Sequence, residues 1–248
     1  LVANGLVEPE QVLGLTFTRK AASELSARVD RRLRTLRDVG HWTPATGAAN
    51  LLGAASEDPL AGRPTISTYH SYAGSIVADF GVRVGVEPTV RLMTEAATWQ
   101  LAYEAACRYD GDVSAFELGE GSLAGAALTL SGELAEHLVA LDEVEDYFRR
   151  CAVTLEGLPI AGRSTSVPPE VRAAVASLRA RCVAVDVARR YAVLKRGRDA
   201  MDFADQMALA ARLAGRFPDI ADTQQQRFRA VLLDEFQDTS HAQLELLR

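Results

Sequence analysis

The first eighty residues alternate between short apolar runs and segments whose apolar residues recur with helical spacing. Residues 12–17 form an apolar run that predicts a buried strand, and Thr18 follows as a candidate N-cap. Apolar side chains then recur at helical spacing from Lys20 to Arg37. A second strand is predicted at 65–68 and a helix at 69–80. This strand–helix–strand–helix order is typical of a parallel α/β sheet.

The pattern changes after residue 95, where helical periodicity continues to about residue 197 with almost no strand signal. The predicted helices are Ala96–Tyr109, Ser122–Leu141, Val144–Leu155 and Pro169–Arg196. A helix at Phe203–Leu213, a strand at Ala230–Asp234 and a helix at His241–Arg248 follow. A helical block between two α/β pieces predicts an insertion into one sheet domain. The Gly-, Ala- and Pro-rich segment 39–63 is expected to be a loop.

Composition places the chain among globular proteins. It has 248 residues, of which 48% are hydrophobic and 24% charged, a mixture that excludes a wholly disordered chain. No apolar stretch reaches the roughly 18–20 residues of a membrane helix, and no signal peptide is recognisable. Three widely separated cysteines suggest a reduced, cytoplasmic protein without a disulfide framework.

Charge is distributed unevenly along the chain, although the formal net charge is only −6. Segment 19–37 carries seven basic and two acidic residues, and segment 179–198 carries seven basic residues and one acidic residue. Between them, segment 110–146 holds ten acidic residues and no Lys or Arg. The two basic segments indicate either a binding surface for a polyanion or solvated helix faces. On charge alone, the two interpretations are equally good.

The strongest chemical signal is the sequence DEFQDTS at 234–240, directly after an apolar strand. Ligands of open α/β sheets bind at the carboxyl ends of the strands, where Asp234 and Glu235 are expected. One carboxylate there can hold Mg²⁺, and the next can accept a proton during phosphoryl transfer. An apolar residue followed by Asp-Glu is common by chance, whereas the complete seven-residue string is specific.

Four segments in order resemble motifs of the superfamily 1 DNA helicases of the UvrD/Rep class. DEFQDTS resembles motif II, GLTFTRKAA at 14–22 resembles motif Ia, and TYHS at 68–71 resembles motif Ib. The segment 201–207 resembles the DFxDLL-like stretch shortly before motif II. Arg19 stands where the family commonly has Asn, and Tyr69 stands where it has Phe. The resemblance covers the chain from end to end.

The resemblance implies roles for individual residues. Asp234 would coordinate Mg²⁺, Glu235 would be the general base, and Gln237 would sense the γ-phosphate of ATP. The residues that would contact single-stranded DNA are Thr16, Phe17, Thr18, Arg19, Lys20, Tyr69 and His70.

Structural alternatives to these roles remain open at several positions. Phe17 and Tyr69 could be ordinary core residues, and His70 could serve as a cap or buried hydrogen-bonding group. For Asp202 and Phe203 a contact at a domain junction is the favoured interpretation.

A phosphate-binding loop of the form GxxxxGK[ST] is not found in the sequence. The two lysines follow Arg19 and Leu194, so no Gly-Lys pair occurs. We therefore assign no nucleotide-phosphate-binding residue and expect the chain to be a fragment. The expected fold is an incomplete RecA-like parallel α/β domain (1A) with a mainly helical inserted subdomain (1B). Predicted boundaries are 1–90 and 201–248 for 1A, and 91–200 for 1B.

The function implied by the resemblance is that of an ATP-dependent 3′–5′ DNA helicase in DNA repair or recombination. ATP and Mg²⁺ are the implied cofactors and single-stranded DNA is the implied partner, with a second helicase or nuclease subunit as a further candidate. The chain alone is expected to be inactive. The alternative is a DNA- or protein-binding module that keeps the fold but has lost the motor.

Overall fold

The computed structural model describes residues 1–41, 63–113, 119–158 and 166–248. Most of the predicted loop at 39–63 lies outside these ranges. The chain forms two compact units, one of Leu1–Gly81 with Ala210–Arg248 and one of Val82–Leu209. We call them the sheet unit and the helical unit and describe each separately. The boundaries expected for the inserted subdomain, 91 and 200, remain predictions.

A three-stranded parallel sheet organises the sheet unit. Its strands are β1 (Val12–Thr16), β2 (Thr65–Thr68) and β5 (Ala230–Leu233), in the order β2-β1-β5. All five residues of the central strand β1 are buried, as expected of a strand with neighbours on both sides. The parallel sheet predicted from the sequence is thus confirmed, with strands from both ends of the chain.

Helices α1 (Arg19–Asp38) and α2 (Tyr69–Phe80) follow β1 and β2 directly. Each begins at a threonine whose hydroxyl accepts a backbone N–H of the first turn, which satisfies one unpaired donor of the helix terminus. The predicted cap at Thr18 is confirmed. Helix α9 (His241–Leu246) begins in the same way at Ser240.

Helix α8 (Pro218–Arg227) was not predicted. Its sequence, PDIADTQQQR, is almost entirely polar, and Ile220 is its one buried residue. A helix that buries so little has no apolar stripe to reveal it. The helix before it, α7 (Phe203–Arg216), extends three residues beyond its predicted end, and the division between the two units falls within it.

The helical unit contains α3 (Glu95–Cys107), α4 (Gly119–Glu136), α5 (Leu141–Glu156) and α6 (Pro169–Arg196). All four helices were predicted, although the second ends earlier than expected, because Leu138 adopts a positive φ of 57°. Much of the core is alanine, including Ala102, Ala105, Ala124, Ala127 and Ala188. These small side chains allow α3, α4 and α6 to pack closely.

Two very short parallel strands, β3 (Arg91–Leu92) and β4 (Ala200–Met201), pair in the helical unit. Two residues are too few to produce a periodic signal, so the sequence did not predict them. Within the described ranges, no helix is both long enough and apolar enough to cross a membrane.

Candidate functional site

The three strands of the sheet unit end at one edge, and the predicted site residues follow them. Thr16 at the end of β1 lies in register with Thr68 at the end of β2. On the other side, the N–H of Asp234 donates to the carbonyl of Leu15 at 3.0 Å and continues the pairing of β5 with β1. The sheet therefore brings the segments resembling motifs Ia, Ib and II together.

Thr16 and Thr18 shape the turn between β1 and α1. The side chain of Thr16 is fully buried, and its hydroxyl donates to the carbonyl of Thr18 at 3.0 Å. The hydroxyl of Thr18 in turn accepts the N–H of Ala21 at 3.1 Å. Arg19 and Lys20 are exposed at the start of the helix, where unpaired backbone N–H groups and positive charge favour anions.

Phe17 and Tyr69 pack together, but only Phe17 reaches the surface. Their ring centroids lie 5.1 Å apart at an interplanar angle of 45°. Phe17 is 37% exposed, whereas Tyr69 is 1% exposed and its hydroxyl shares a 3.3 Å hydrogen bond with Thr239. The structure thus places Tyr69 in the core beneath Phe17. A contact of either ring with DNA remains a prediction.

His70 lies in the first turn of α2 and is half-buried. The hydroxyl of Thr68, the residue just before α2, accepts the N–H of Ser71 at 3.1 Å, and the hydroxyls of Thr68 and Ser71 lie 2.9 Å apart. These bonds fix the start of α2 at the same edge as the β1–α1 turn.

Asp234 and Glu235 are both exposed where β5 ends. Glu235 has φ 51° and ψ 46°, a left-handed conformation that costs a non-glycine residue about 1–3 kcal/mol. The side-chain amide of Gln237 donates to the Glu235 carboxylate. The conformation of Glu235 was not predicted, because residue type alone does not reveal it; such outliers cluster at functional sites.

Asp234 is suited to hold a metal ion together with a ligand. Within the described part of the chain its carboxylate has no hydrogen-bond or ion-pair partner. Mg²⁺ is commonly held by one or two carboxylates, with phosphate and water oxygens as the other ligands. The residues present therefore fit a magnesium ion that accompanies a nucleotide, but they provide no lysine of a phosphate-binding loop.

The helical unit contains a buried ionic cluster that was not predicted from the sequence. Lys195 Nζ lies 2.7 Å from Asp202 Oδ2 and 2.5 Å from Asp205 Oδ2. The hydroxyl of Tyr191 donates to Asp202 Oδ2 at 2.9 Å. The cluster joins the end of α6 to the residues that begin α7, a local role for the DFxDLL-like segment. The expected role of Asp202 and Phe203 at a domain junction remains a prediction.

The cluster shifts the pKa values of its members in different directions. Burial acts to raise the pKa of Asp202, but the charge and hydrogen bond of Lys195 outweigh it and hold that pKa below its usual value. At Asp205 burial prevails and the pKa is raised. Burial, reinforced by the Asp202 carboxylate, also raises the pKa of the Tyr191 hydroxyl.

Most cations of the basic segment 179–198 pair with carboxylates of the helical unit. Arg189 contacts Asp142 at 2.6 Å and Glu145 at 2.7 Å, and Arg190 contacts Asp110 at 2.9 Å. All three of these carboxylates belong to the acidic segment 110–146. Most cations of this segment are thus matched by carboxylates of the same unit, although their side chains remain partly exposed. A polyanion-binding role of the segment stays a prediction.

Comparisons with known proteins identify the family of the chain. The chain matches the UvrD/REP helicase N-terminal domain family over residues 1–248 and belongs to that family. The sequence is 23% identical over 242 residues to the ATP-dependent DNA helicase PcrA of Staphylococcus aureus (strain Mu50), covering 98% of this chain and 25% of PcrA.

A shorter segment is more similar to mycobacterial helicases. It is 45% identical over 53 residues to the ATP-dependent DNA helicase UvrD1 of Mycobacterium tuberculosis (strain H37Rv), covering 21% of this chain and 7% of UvrD1. The UvrD1 of Mycobacterium leprae is 46% identical over 50 residues, covering 20% of this chain and 6% of that protein. The chain thus spans at most about a quarter of these relatives.

Proposed function

We propose that the chain supplies one side of the ATPase site and part of the single-stranded DNA track of an ATP-dependent DNA helicase. The observation that carries this proposal is the meeting of β1, β2 and β5 at one edge, with Thr16, Thr68 and Asp234 at their ends. Family membership supports the same activity.

In the proposed reaction, Asp234 would hold Mg²⁺, which would supply positive charge next to the phosphates of ATP. Glu235 accepts a proton from the attacking water. Its left-handed backbone turns it away from the direction of β5, and the Gln237 amide positions its carboxylate. In this proposal Gln237 senses the γ-phosphate of ATP. Because its amide is hydrogen-bonded to the Glu235 carboxylate, it can change the position of the base when the phosphate is present.

The DNA strand is proposed to cross the β1–α1 turn and the start of α2. Thr18, Arg19 and Lys20 present polar and charged groups to phosphates, while the exposed part of Phe17 offers a face for an unpaired base. Thr16 and Tyr69 are buried, so their contribution in this arrangement is to support the turn and Phe17. His70 completes the surface at α2.

The finer features of the function are also proposals. They are 3′–5′ movement, a role in DNA repair or recombination, and work alongside a second helicase or nuclease subunit. Because the sequence has no Gly-Lys pair, we expect the 248 residues alone to hydrolyse no significant ATP. Robust DNA-stimulated turnover by this chain would overturn that expectation.

The substitution Glu235→Gln tests the proposed base in a helicase that carries this chain together with a phosphate-binding loop. It preserves shape and the neighbouring Asp234 but removes the base, so we expect turnover to fall about 10²–10⁴-fold while ATP binding persists. Asp222→Asn on α8 is the control, since it removes an exposed carboxylate that the proposal does not use. Near wild-type turnover in Glu235→Gln would show that Glu235 is not the base.

A further inference from the structure

One side of α1 carries several exposed cations. Arg28, Arg31 and Arg32 are neighbours on the helix surface, because residues three and four positions apart lie side by side, and Lys20 precedes Arg28 by eight positions. At 1.5 Å per residue, Arg28 to Arg32 lie about 12–18 Å along the helix from Lys20. The apolar side chains of Leu25 and Val29 are partly buried, whereas the three arginines are exposed.

The three arginines have no acidic partners in the described ranges of the chain. The one carboxylate on this face, Glu24, lies 3.9 Å from Lys20. Asp30 lies on the other side of the helix, 3.8 Å from Arg63. Arg28, Arg31 and Arg32 are exposed and form no ion pair with any described residue. Their charge is therefore available to an external anion.

The chemistry of the face favours base-paired over single-stranded nucleic acid. Surfaces that bind single strands combine positive charge with aromatic side chains on which unpaired bases stack. Phe17 offers such a ring at the sheet edge, but the sequence of α1, RKAASELSARVDRRLRTLRD, contains no aromatic residue. A face of cations without stacking partners suits a duplex, whose bases are already stacked and whose backbone carries a dense negative charge.

We propose that Arg28, Arg31 and Arg32 form a contact surface for the backbone of duplex DNA adjoining the single strand at the sheet edge. The inference rests on the proposed function, since Lys20 links this face to the proposed single-strand track. In this arrangement the three guanidinium groups contact phosphates of the duplex backbone. Contacts of this kind are independent of sequence and sensitive to salt.

The test measures fluorescence anisotropy of the full chain with two labelled probes, a blunt duplex of about 16 base pairs and an oligothymidine of about 8 nucleotides. Titrations run from about 50 to 200 mM salt. In the variant Arg28→Gln/Arg31→Gln/Arg32→Gln, we expect duplex affinity to fall at least about tenfold at low salt. The slope of log affinity against log salt should decrease by about 2–3. Binding of oligothymidine should change less than about twofold.

Two further variants separate charge from position. Replacing the same three arginines by lysine keeps the charges, so most of the salt slope should remain. The variant Arg37→Gln removes an exposed charge that is spaced nine, six and five positions from the three arginines and so lies on another side of α1. It should leave most of the duplex affinity. Circular dichroism of each variant reports whether α1 is intact.

Several outcomes would overturn the inference. The glutamine triple variant could bind duplex as tightly as the wild type, the wild type could bind no duplex, or the Arg37→Gln control could lose as much affinity as the triple variant. Equal loss of oligothymidine binding would assign the face to the single strand instead. Loss of oligothymidine binding in Lys20→Ala, with no duplex effect of the triple variant, would overturn this inference while the proposed function stands.

Discussion

Helices α1 and α6 both contain a strongly basic segment, but the surroundings of the two segments differ. In α6, Arg179, Arg189, Arg190 and Lys195 each contact a carboxylate of the helical unit. Among the cations of α1, only Lys20 and Arg37 form ion pairs with described residues, and their partners are exposed carboxylates of the same helix. Nearly equal local charge is therefore paired with carboxylates distant in sequence in one helix, and is left mostly without such partners among the described residues in the other.

The carboxylates of the two units show the same contrast. Asp234 in the sheet unit is exposed, and no described residue pairs with its side chain. Asp202 in the helical unit is held by a lysine and a tyrosine. An exposed charge without a partner is available to a ligand. A charge that is buried with its partner belongs to the fold, and removal of the partner lowers the free energy of unfolding. The following predictions test this difference.

The largest expected effect is that of Lys195→Met. The lysine side chain is 6% exposed and faces two carboxylates, so its removal leaves buried negative charge without compensation. We expect the helical unit to lose about 3–5 kcal/mol of unfolding free energy, measured by urea denaturation. The control Arg198→Met removes an exposed pair with Glu104 and should cost about 1 kcal/mol or less. Equal losses in both variants would contradict the contrast between buried and exposed pairs.

Tyr191→Phe should change stability most clearly at alkaline pH. Because the pKa of Tyr191 is raised by burial and by Asp202, the tyrosine ionises in the unfolded chain above pH about 10 but stays protonated when folded. The folded state then holds the extra proton, so stability falls as pH rises, by up to about 1.4 kcal/mol per pH unit. Urea unfolding between about pH 9 and 11 should show a shallower decline in Tyr191→Phe. Parallel declines in the two proteins would contradict this account.

A smaller effect is expected from the backbone of Glu235. Glycine adopts the left-handed conformation without steric cost, whereas alanine does not. Glu235→Gly should therefore be about 1 kcal/mol more stable than Glu235→Ala, although neither variant retains the proposed base. Thermal unfolding of the two variants measures the difference. If alanine were equally stable, the φ of 51° would not represent strain.

The elements with a strong local pattern could be predicted from the sequence. The strands β1 and β2 are apolar or β-branched runs, and α1 and α2 begin at threonine caps directly after them. Helix α8 and the pair β3–β4 could not be predicted, because a polar helix and two-residue strands have no recognisable periodicity.

The site was predictable only in outline. The sequence predicted that Asp234 and Glu235 follow a strand at the sheet edge, where ligands of open α/β sheets bind. It could not show that Tyr69 is buried by Phe17 and bonded to Thr239, a contact between residues 170 positions apart. The ion pairs of α6 likewise depend on tertiary contacts, such as that of Arg190 with Asp110, 80 positions away.

The proposed role of the sheet edge is tested most directly by single-stranded DNA binding of Lys20→Ala. Lys20 is exposed at the β1–α1 turn, so loss of one phosphate contact should weaken binding and reduce the log–log salt slope by about 0.7 to 1. Arg37→Ala, at the far end of the same helix, is the control and should bind nearly as the wild type. Anisotropy of a labelled oligonucleotide at several salt concentrations measures both quantities. Unchanged affinity and slope in Lys20→Ala would contradict the proposed track, whereas a loss confined to Lys20→Ala is the result we expect.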